Sequence, residues 1–464
     1  MSSPIPGSAA HAAPRSCSAS RSGPLGGRLR PPGDKSMSHR AFILGLLAEG
    51  RTSVEGLLEG DDALRTGEAC RALGATITRT GPGAWTIDGA GLGHLRQPDA
   101  MLDFGNAGTG TRLMMGVVGG AGISATFDGD ASLRKRPMRR ILDPLTLMGA
   151  AVVSEEPGGR CPIVLRGTPS PTPIRYETPV ASAQIKSAIL LAGLSAEGET
   201  VVVETEASRD HTEKMLRHFG ADVRVEPHGR DGRAIALVGR PRLVGTALSV
   251  PADPSSAAFA IVAACIVPGS DIVVDAVMMN PLRTGLIATL REMGASIDEI
   301  DRRIEGGEDV ADLRVRHASL HGVDVPAGRA PSMIDEYPVL AVAAAYAAGT
   351  TRMAGLSELR VKESDRLAAV ATGLAQAGVP HRIEGDDLVV EGGAGRVAGG
   401  GFVETHLDHR IAMSFLCLGL ASQKPMTIDD ASMIATSYPA FRSDLAGLGA
   451  QFADSPDNGT GAGR

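Results

Sequence analysis

The sequence predicts a mixed α/β (α+β) protein of two similar domains, each holding three repeated βαβ-like units. The main observation is a recurrence: a helix-like segment closes on an apolar residue, Gly-Ala or Gly-Val follows, and then a strand-like stretch. It occurs at Gly74, Gly149, Gly220, Gly294, Gly378 and Gly449, at intervals of 75, 71, 74, 84 and 71 residues. A glycine in that place ends a helix, and the residues after it start a strand. The segments leading into the helices also match one another, at 56–62, 206–211, 276–281, 354–360 and 430–433. A chain of 464 residues is too long for one core. Three units per domain is the natural division of six.

Residues 1–27 contain no acidic residue and are rich in Ser, Ala, Pro and Gly. A transit peptide has that composition, as does any disordered extension; a disordered extension is expected here. Residues 454–464 are expected to fray in the same way. The five cysteines show no CxxC or Cys/His pairing, which argues for a reducing, cytoplasmic setting and against structural zinc. The longest apolar run, 257–267, is far shorter than the ~20 residues of a membrane span. A net charge of −7 and an aromatic content of 3% leave little basis for a nucleic-acid surface.

The first motif is Gly33-Asp34-Lys35-Ser36-Met37-Ser38-His39-Arg40, entered through Pro31-Pro32 and followed by an apolar run. Lys35, Ser36 and Arg40 therefore fall at or just inside a helix N-terminus, where free N–H groups and the dipole already favour an anion. The Gly-rich turn Gly105-Asn106-Ala107-Gly108-Thr109 opens a second helix and lets backbone approach an anion closely. Next, Arg134, Lys135, Arg136, Arg139 and Arg140 form a dense cationic stretch. Beside two other anion loops it reads as a phosphate or carboxylate clamp. Ser182-Ala183-Gln184 starts a third apolar helix; Ser182 there is either a cap or a substrate contact. Arg209 precedes another helix. Asp335 precedes the apolar run 339–348, Glu363 and Arg366 are spaced to share a helix face, and Asp408-His409-Arg410 opens the run 411–420. His406-x-Asp408-His409 has no matching partner cluster, so no metal is expected. Together these make a cation-lined site for substrates with several negative charges, with carboxylates for proton transfer.

The ordered set Gly-Asp-Lys-Ser-x-Ser-x-Arg, Gly-Asn-Ala-Gly-Thr, Lys-Arg-Pro-Met, Ser-Ala-Gln-x-Lys-Ser, Arg-Val-Lys-Glu-Ser-Asp-Arg and Asp-His-Arg-Ile-Ala-Met resembles EPSP synthases, from about Leu29 to Phe452. Ser182-Ala183-Gln184 and Arg209-Asp210-His211-Thr212-Glu213-Lys214-Met215 are similar to the bacterial second class. The resemblance implies two domains of three βαβαββ repeats each, the pseudo-threefold inside-out barrel of enolpyruvyl transferases, hinged to close on substrate. It places the first domain at 34–250 and a discontinuous second domain at 28–33 plus 251–453.

It also implies a reaction: the enolpyruvyl group of phosphoenolpyruvate passes to the 5-hydroxyl of 3-phosphoshikimate and phosphate leaves, a step toward chorismate and the aromatic amino acids. By motif, Lys35, Ser36, Arg40, Ser182, Ala183, Gln184, Arg209, Asp335 and Lys362 would hold 3-phosphoshikimate. Lys35, Asn106, Gly108, Arg136, Gln184, Arg366 and Arg410 would hold phosphoenolpyruvate. Asp335 would be the base and Glu363 the proton donor, with Lys35 beside them. The implied enzyme needs no cofactor or metal, has small-molecule partners only and acts as a monomer. Two positions qualify this. Thr436 stands where many members carry a lysine for phosphoenolpyruvate. Gly108 lacks the methyl that an alanine would push into the site, so sensitivity to glyphosate is expected. A sister enzyme acting on UDP-N-acetylglucosamine would need a reactive cysteine where this chain has Ala131. A non-catalytic sensor would not need both Asp335 and Glu363.

Overall fold

The computed structural model describes residues 14–454. Twelve α-helices lie among them: α1 (Lys35–Leu47), α2 (Asp61–Ala72), α3 (Gly108–Gly119), α4 (Arg139–Leu147), α5 (Ala183–Gly193), α6 (His211–His218), α7 (Pro254–Ile266), α8 (Gly285–Glu292), α9 (Tyr337–Tyr346), α10 (Arg366–Gln376), α11 (His409–Gly419) and α12 (Phe441–Gly447). The even-numbered helices all stop at the recurring glycines. Gly74, Gly149, Gly220, Gly294, Gly378 and Gly449 each take positive φ, between +72° and +116°. At each, the following residue donates its N–H back to the helix, as Ala75 does to the Cys70 carbonyl (3.1 Å) and Ala450 to that of Leu445 (3.0 Å). This is the Schellman closure, and it needs a residue free to enter the left-handed region.

The strands form six four-stranded sheets of one pattern. A short edge strand runs parallel to its neighbour, and the other two strands pair antiparallel. Leu102–Asp103, Ser124–Asp128, Arg160–Arg166 and Ala151–Glu156 form one such sheet in that spatial order. Contacts divide the chain into two compact units. The first is Gly33–Val250 with the hairpin tip Glu305–Glu308; the second takes the described residues 14–32, Pro251–Ile304 and those from Asp309 onward. The division differs from the expected one at Gly33 and at that hairpin tip.

In each unit one sheet borrows its edge strand from a distant part of the chain. Ala247–Ser249 pairs with Arg51–Glu55 in the first unit, and Gly26–Leu29 pairs with Asp271–Met278 in the second. The sheet of Phe402–Val403, Met426–Ile428 and Gln451–Asp454 is completed by Cys17–Ser20. This corrects the expectation of a disordered 1–27: residues 14–27 are ordered, with Cys17 and Ala19 fully buried. Residues 1–13 lie outside the described residues. At the other end Asp454 belongs to the last strand, and 455–464 lie outside the described residues.

The odd-numbered helices are the buried ones. All residues of α7, α9 and α11 are buried, so none of the three has a wet face. In the first unit α3 and α5 approach closely; a Cβ on Gly116 would come within 2.4 Å of the Ala188 carbonyl oxygen. No helix among the described residues is long and apolar enough to cross a membrane. All five cysteines are buried and unbridged.

Candidate active site

In the first unit, α1, α3 and α5 bring their N-termini together. Asp34 caps α1, accepting from the Met37 N–H at 2.8 Å. Gly33 before it must be glycine, since a Cβ there would sit 1.8 Å from the Gly56 carbonyl oxygen. Lys35, the first helical residue, pairs with the buried Asp62 of α2. Ser36 is half-buried, and its carbonyl accepts from Arg40 Nη1 (3.0 Å). Arg40 lies within the core of this end, its Nε on Thr212 Oγ1 (2.7 Å) and its Nη2 on Ser187 Oγ (2.8 Å). A guanidinium carries several N–H donors in a fixed planar array, which suits it to an anion's oxygens.

Asn106 and Gly108 sit at the start of α3, where no side chain caps the helix. Arg136 donates to Asn106 Oδ1 and, at 3.2 Å, to Ser132 Oγ. Gln184, in the first turn of α5, receives Arg112 Nη1 (2.9 Å) and donates to Thr109 Oγ1 (3.0 Å). Ser182 is the residue before α5, yet its hydroxyl makes no capping bond, which leaves the capping role unfilled. Ala183 follows it, and its carbonyl accepts from Ser187 Oγ (2.5 Å). Arg209 is half-buried in the loop before α6. Of the cationic stretch, only Arg136 joins this group by the contacts described. The exposed Arg134 pairs with the buried Asp128, and the exposed Arg139 with Asp143 and Glu155.

His39 faces Thr66 Oγ1 through Nδ1 (2.8 Å), and its buried Nε2 finds no hydrogen-bond partner. Burial, then the charges of Lys35 and Arg40, push its pKa down to about 3. The unfolded chain, with a histidine near 6.5, therefore binds a proton that the folded state refuses. This contribution is fully present above about 6.5 and is lost as pH falls toward about 3, by up to about 1.4 kcal/mol per pH unit. His39→Gln should flatten that part of the acid limb in urea melts at pH 7, 6 and 5. Identical slopes for the two proteins would exclude this role.

In the second unit the centre is Arg366, at 1% exposure of its side chain. Its Nε contacts Asp408 (2.8 Å), its Nη1 Asp335 (3.1 Å) and its Nη2 Glu363 (2.5 Å). Burial works against its charge, but Asp408, Glu363 and Asp335 outweigh that and hold its pKa above the usual arginine value. Lys362 approaches Asp335 at 3.7 Å, and Arg410 Nη1 donates to the Asp335 carbonyl at 3.3 Å. Glu363 lies before α10 rather than in it, so the expected shared helix face is replaced by a bend that folds it back on Arg366. Asp335 likewise lies outside α9, and Glu336 occupies the position before that helix.

Asp408 is the residue that the motifs did not assign. It is fully buried, caps α11 by accepting from the Arg410 N–H (2.9 Å), and takes Ser364 Oγ (3.1 Å) as well as Arg366. The available signal was an acidic residue immediately before an apolar helix. Arg112 was likewise visible only as part of a Gly-rich turn. Thr436 turns its hydroxyl onto the Met433 carbonyl (2.7 Å) and supplies no cation. Among the described residues, Asp210, His211 and Glu308 are grouped closely enough to share a metal ion. The Lys214 ammonium already stands there, 2.6 Å from Glu308 and 3.4 Å from Asp210.

The EPSP synthase (3-phosphoshikimate 1-carboxyvinyltransferase) family pattern matches residues 20–445. The chain is 67% identical to a 3-phosphoshikimate 1-carboxyvinyltransferase of Methylorubrum extorquens, over 95% of this chain and 98% of that one. It is 63% identical to the protein of that name from a Bradyrhizobium species, over 95% and 99%. Its structure is similar to that of an EPSP synthase from Acinetobacter baumannii, with a TM-score of 0.85, 43% identity, and 95% and 100% of the two chains covered. The mixed α/β architecture and these likenesses agree, and the chain belongs to the EPSP synthase family.

Proposed function

We propose that the chain transfers the enolpyruvyl group of phosphoenolpyruvate to the 5-hydroxyl of 3-phosphoshikimate, releasing phosphate. The observation that carries this is the gathering of three helix N-termini with Lys35, Arg40, Arg136 and Gln184 around them. Two phosphates and two carboxylates call for such a concentration of fixed donors and positive charge. The three-repeat halves form the family's inside-out barrels, the chain is of the second-class bacterial type, and it works as a cytoplasmic monomer.

Lys35, Ser36, Arg40, Ser182, Ala183, Gln184, Arg209, Asp335 and Lys362 hold 3-phosphoshikimate; Lys35, Asn106, Gly108, Arg136, Gln184, Arg366 and Arg410 hold phosphoenolpyruvate. Asp335 takes the proton of the 5-hydroxyl as its oxygen bonds to C2 of phosphoenolpyruvate. Glu363 gives a proton to C3, turning the methylene into a methyl group. The Glu363 carboxylate then takes a proton back from that methyl as the C2–O bond to the phosphate breaks, which expels phosphate and restores the double bond. General acid and base each contribute about 10²–10⁴-fold in such steps. Arg366 touches both carboxylates, so it fixes acid and base relative to each other.

The test is phosphate release from phosphoenolpyruvate by the purified protein. Release should require 3-phosphoshikimate and be lost in Lys35→Ala. Absence of release with both substrates, or release driven instead by UDP-N-acetylglucosamine, would overturn the assignment. A second expectation concerns Gly108. A Cβ there would lie 2.7 Å from Arg136 Nη1, so Gly108→Ala must push that guanidinium aside. Glyphosate inhibition should weaken more than phosphoenolpyruvate affinity. Equal inhibition of both proteins would refute this.

A further inference from the structure

Lys186 is a charged residue in an unfavourable place. It lies near the N-terminus of α5, where the helix dipole repels a cation, and its side chain is 1% exposed. Two equally buried carboxylates hold it: Glu204 at 2.9 Å and Glu213 at 2.7 Å. Burial opposes its charge, and the two carboxylates outweigh that and raise its pKa. Taking three charges out of water costs several kcal/mol per ion, and apolar residues of similar volume often serve stability as well. A reason other than stability is therefore worth seeking in what the three ions touch.

They touch the supports of two substrate guanidiniums. Glu204 ends a strand, Glu213 lies in the first turn of α6, and the loop between them carries Arg209. Ser208, the residue before Arg209, is gripped at three atoms. Its hydroxyl and, at 3.5 Å, its N–H donate to Glu204, and its carbonyl accepts from Lys186 at 3.4 Å. On the other side, Glu213 adjoins Thr212, and Lys186 adjoins Ser187. The hydroxyls of Thr212 and Ser187 lie 2.6 Å apart, and both receive Arg40.

We propose that Lys186, with Glu204 and Glu213, is a positioning residue for 3-phosphoshikimate: through Ser208 it sets Arg209, and through Thr212 and Ser187 it sets Arg40. This rests on the assignment of Arg40 and Arg209 to that substrate. Lys186 itself touches no substrate, so its effect is on geometry, and a displacement of ~1 Å in a binding group costs up to ~100-fold.

Lys186→Met alone would strand two buried carboxylates and risks misfolding. The informative variant is therefore Lys186→Met with Glu204→Gln and Glu213→Gln, which removes all three charges at nearly constant volume. Glu213→Gln alone keeps the Lys186–Glu204 pair and provides a second reading. KM for each substrate, kcat and Tm are measured for both. The expected result is a KM for 3-phosphoshikimate raised about tenfold or more, a KM for phosphoenolpyruvate within about twofold, and a Tm unchanged or higher. Unchanged KM values, with activity that merely follows Tm, would overturn the positioning role. Arg209→Leu is the control. If it raises KM for 3-phosphoshikimate while the charge-free set does not, only the positioning role fails; if it raises nothing, the underlying site assignment fails with it.

Discussion

Asp335→Asn is expected to lower kcat by about 10²–10⁴-fold while the protein stays folded. The carboxylate stands between Lys362 and Arg366, at 3.7 Å and 3.1 Å, and is the one placed here as the base for the incoming hydroxyl. Asparagine keeps its shape and an acceptor oxygen but cannot take a proton. Arg366 would still have Asp408 and Glu363, so no buried charge is left alone. The measurement is steady-state phosphate release beside a thermal melt. A kcat within tenfold of the parent, with intact folding, would remove Asp335 from the base role. Glu363→Gln should produce a comparable loss, because protonation at C3 is a separate demand of the same addition step.

Arg366→Met should be the most destabilising single change in the second unit. It removes the cation that three carboxylates share and leaves the fully buried Asp408 with the Ser364 hydroxyl and the Arg410 N–H but without the guanidinium that neutralises it. Breaking a buried ion pair from one side typically costs about 3–5 kcal/mol, because the remaining charge is uncompensated. Asp408 also caps α11, so its displacement would loosen the Arg410 N–H contact (2.9 Å) as well. Chemical denaturation should show an earlier transition for the variant. Adding Asp408→Asn to it should recover part of the loss, since amide and thioether need no counterion. A double variant less stable than Arg366→Met by the full cost of Asp408→Asn in the parent would show that the two residues act independently.

The parts of this protein legible in the sequence are those decided within one or two helical turns. A glycine after a helix, followed by a strand-like stretch, reports a local closure that needs positive φ, and all six recurrences take it. Apolar residues on every side of 257–267 report a helix with no wet face, and α7 is buried at each position. Lys35 at the first turn of α1 and Gly108 at the first residue of α3 were fixed by the same local logic.

What the tertiary structure alone decided is long-range. Cys17–Ser20 has four residues and no strand propensity to notice. It is ordered because its backbone pairs with Met426–Ile428 and Gln451–Asp454, over four hundred positions away. Ion-pair choice was hidden for the same reason. Lys35 chose Asp62, Arg366 chose Asp408, and Lys186 chose Glu204 and Glu213. Capping and periodicity depend on dihedral angles of neighbouring residues, so the sequence determined the repeats and their helix ends. Strand partners and buried counterions depend on which distant segments meet in a dry core, where desolvation makes each choice costly, and only the fold decides that.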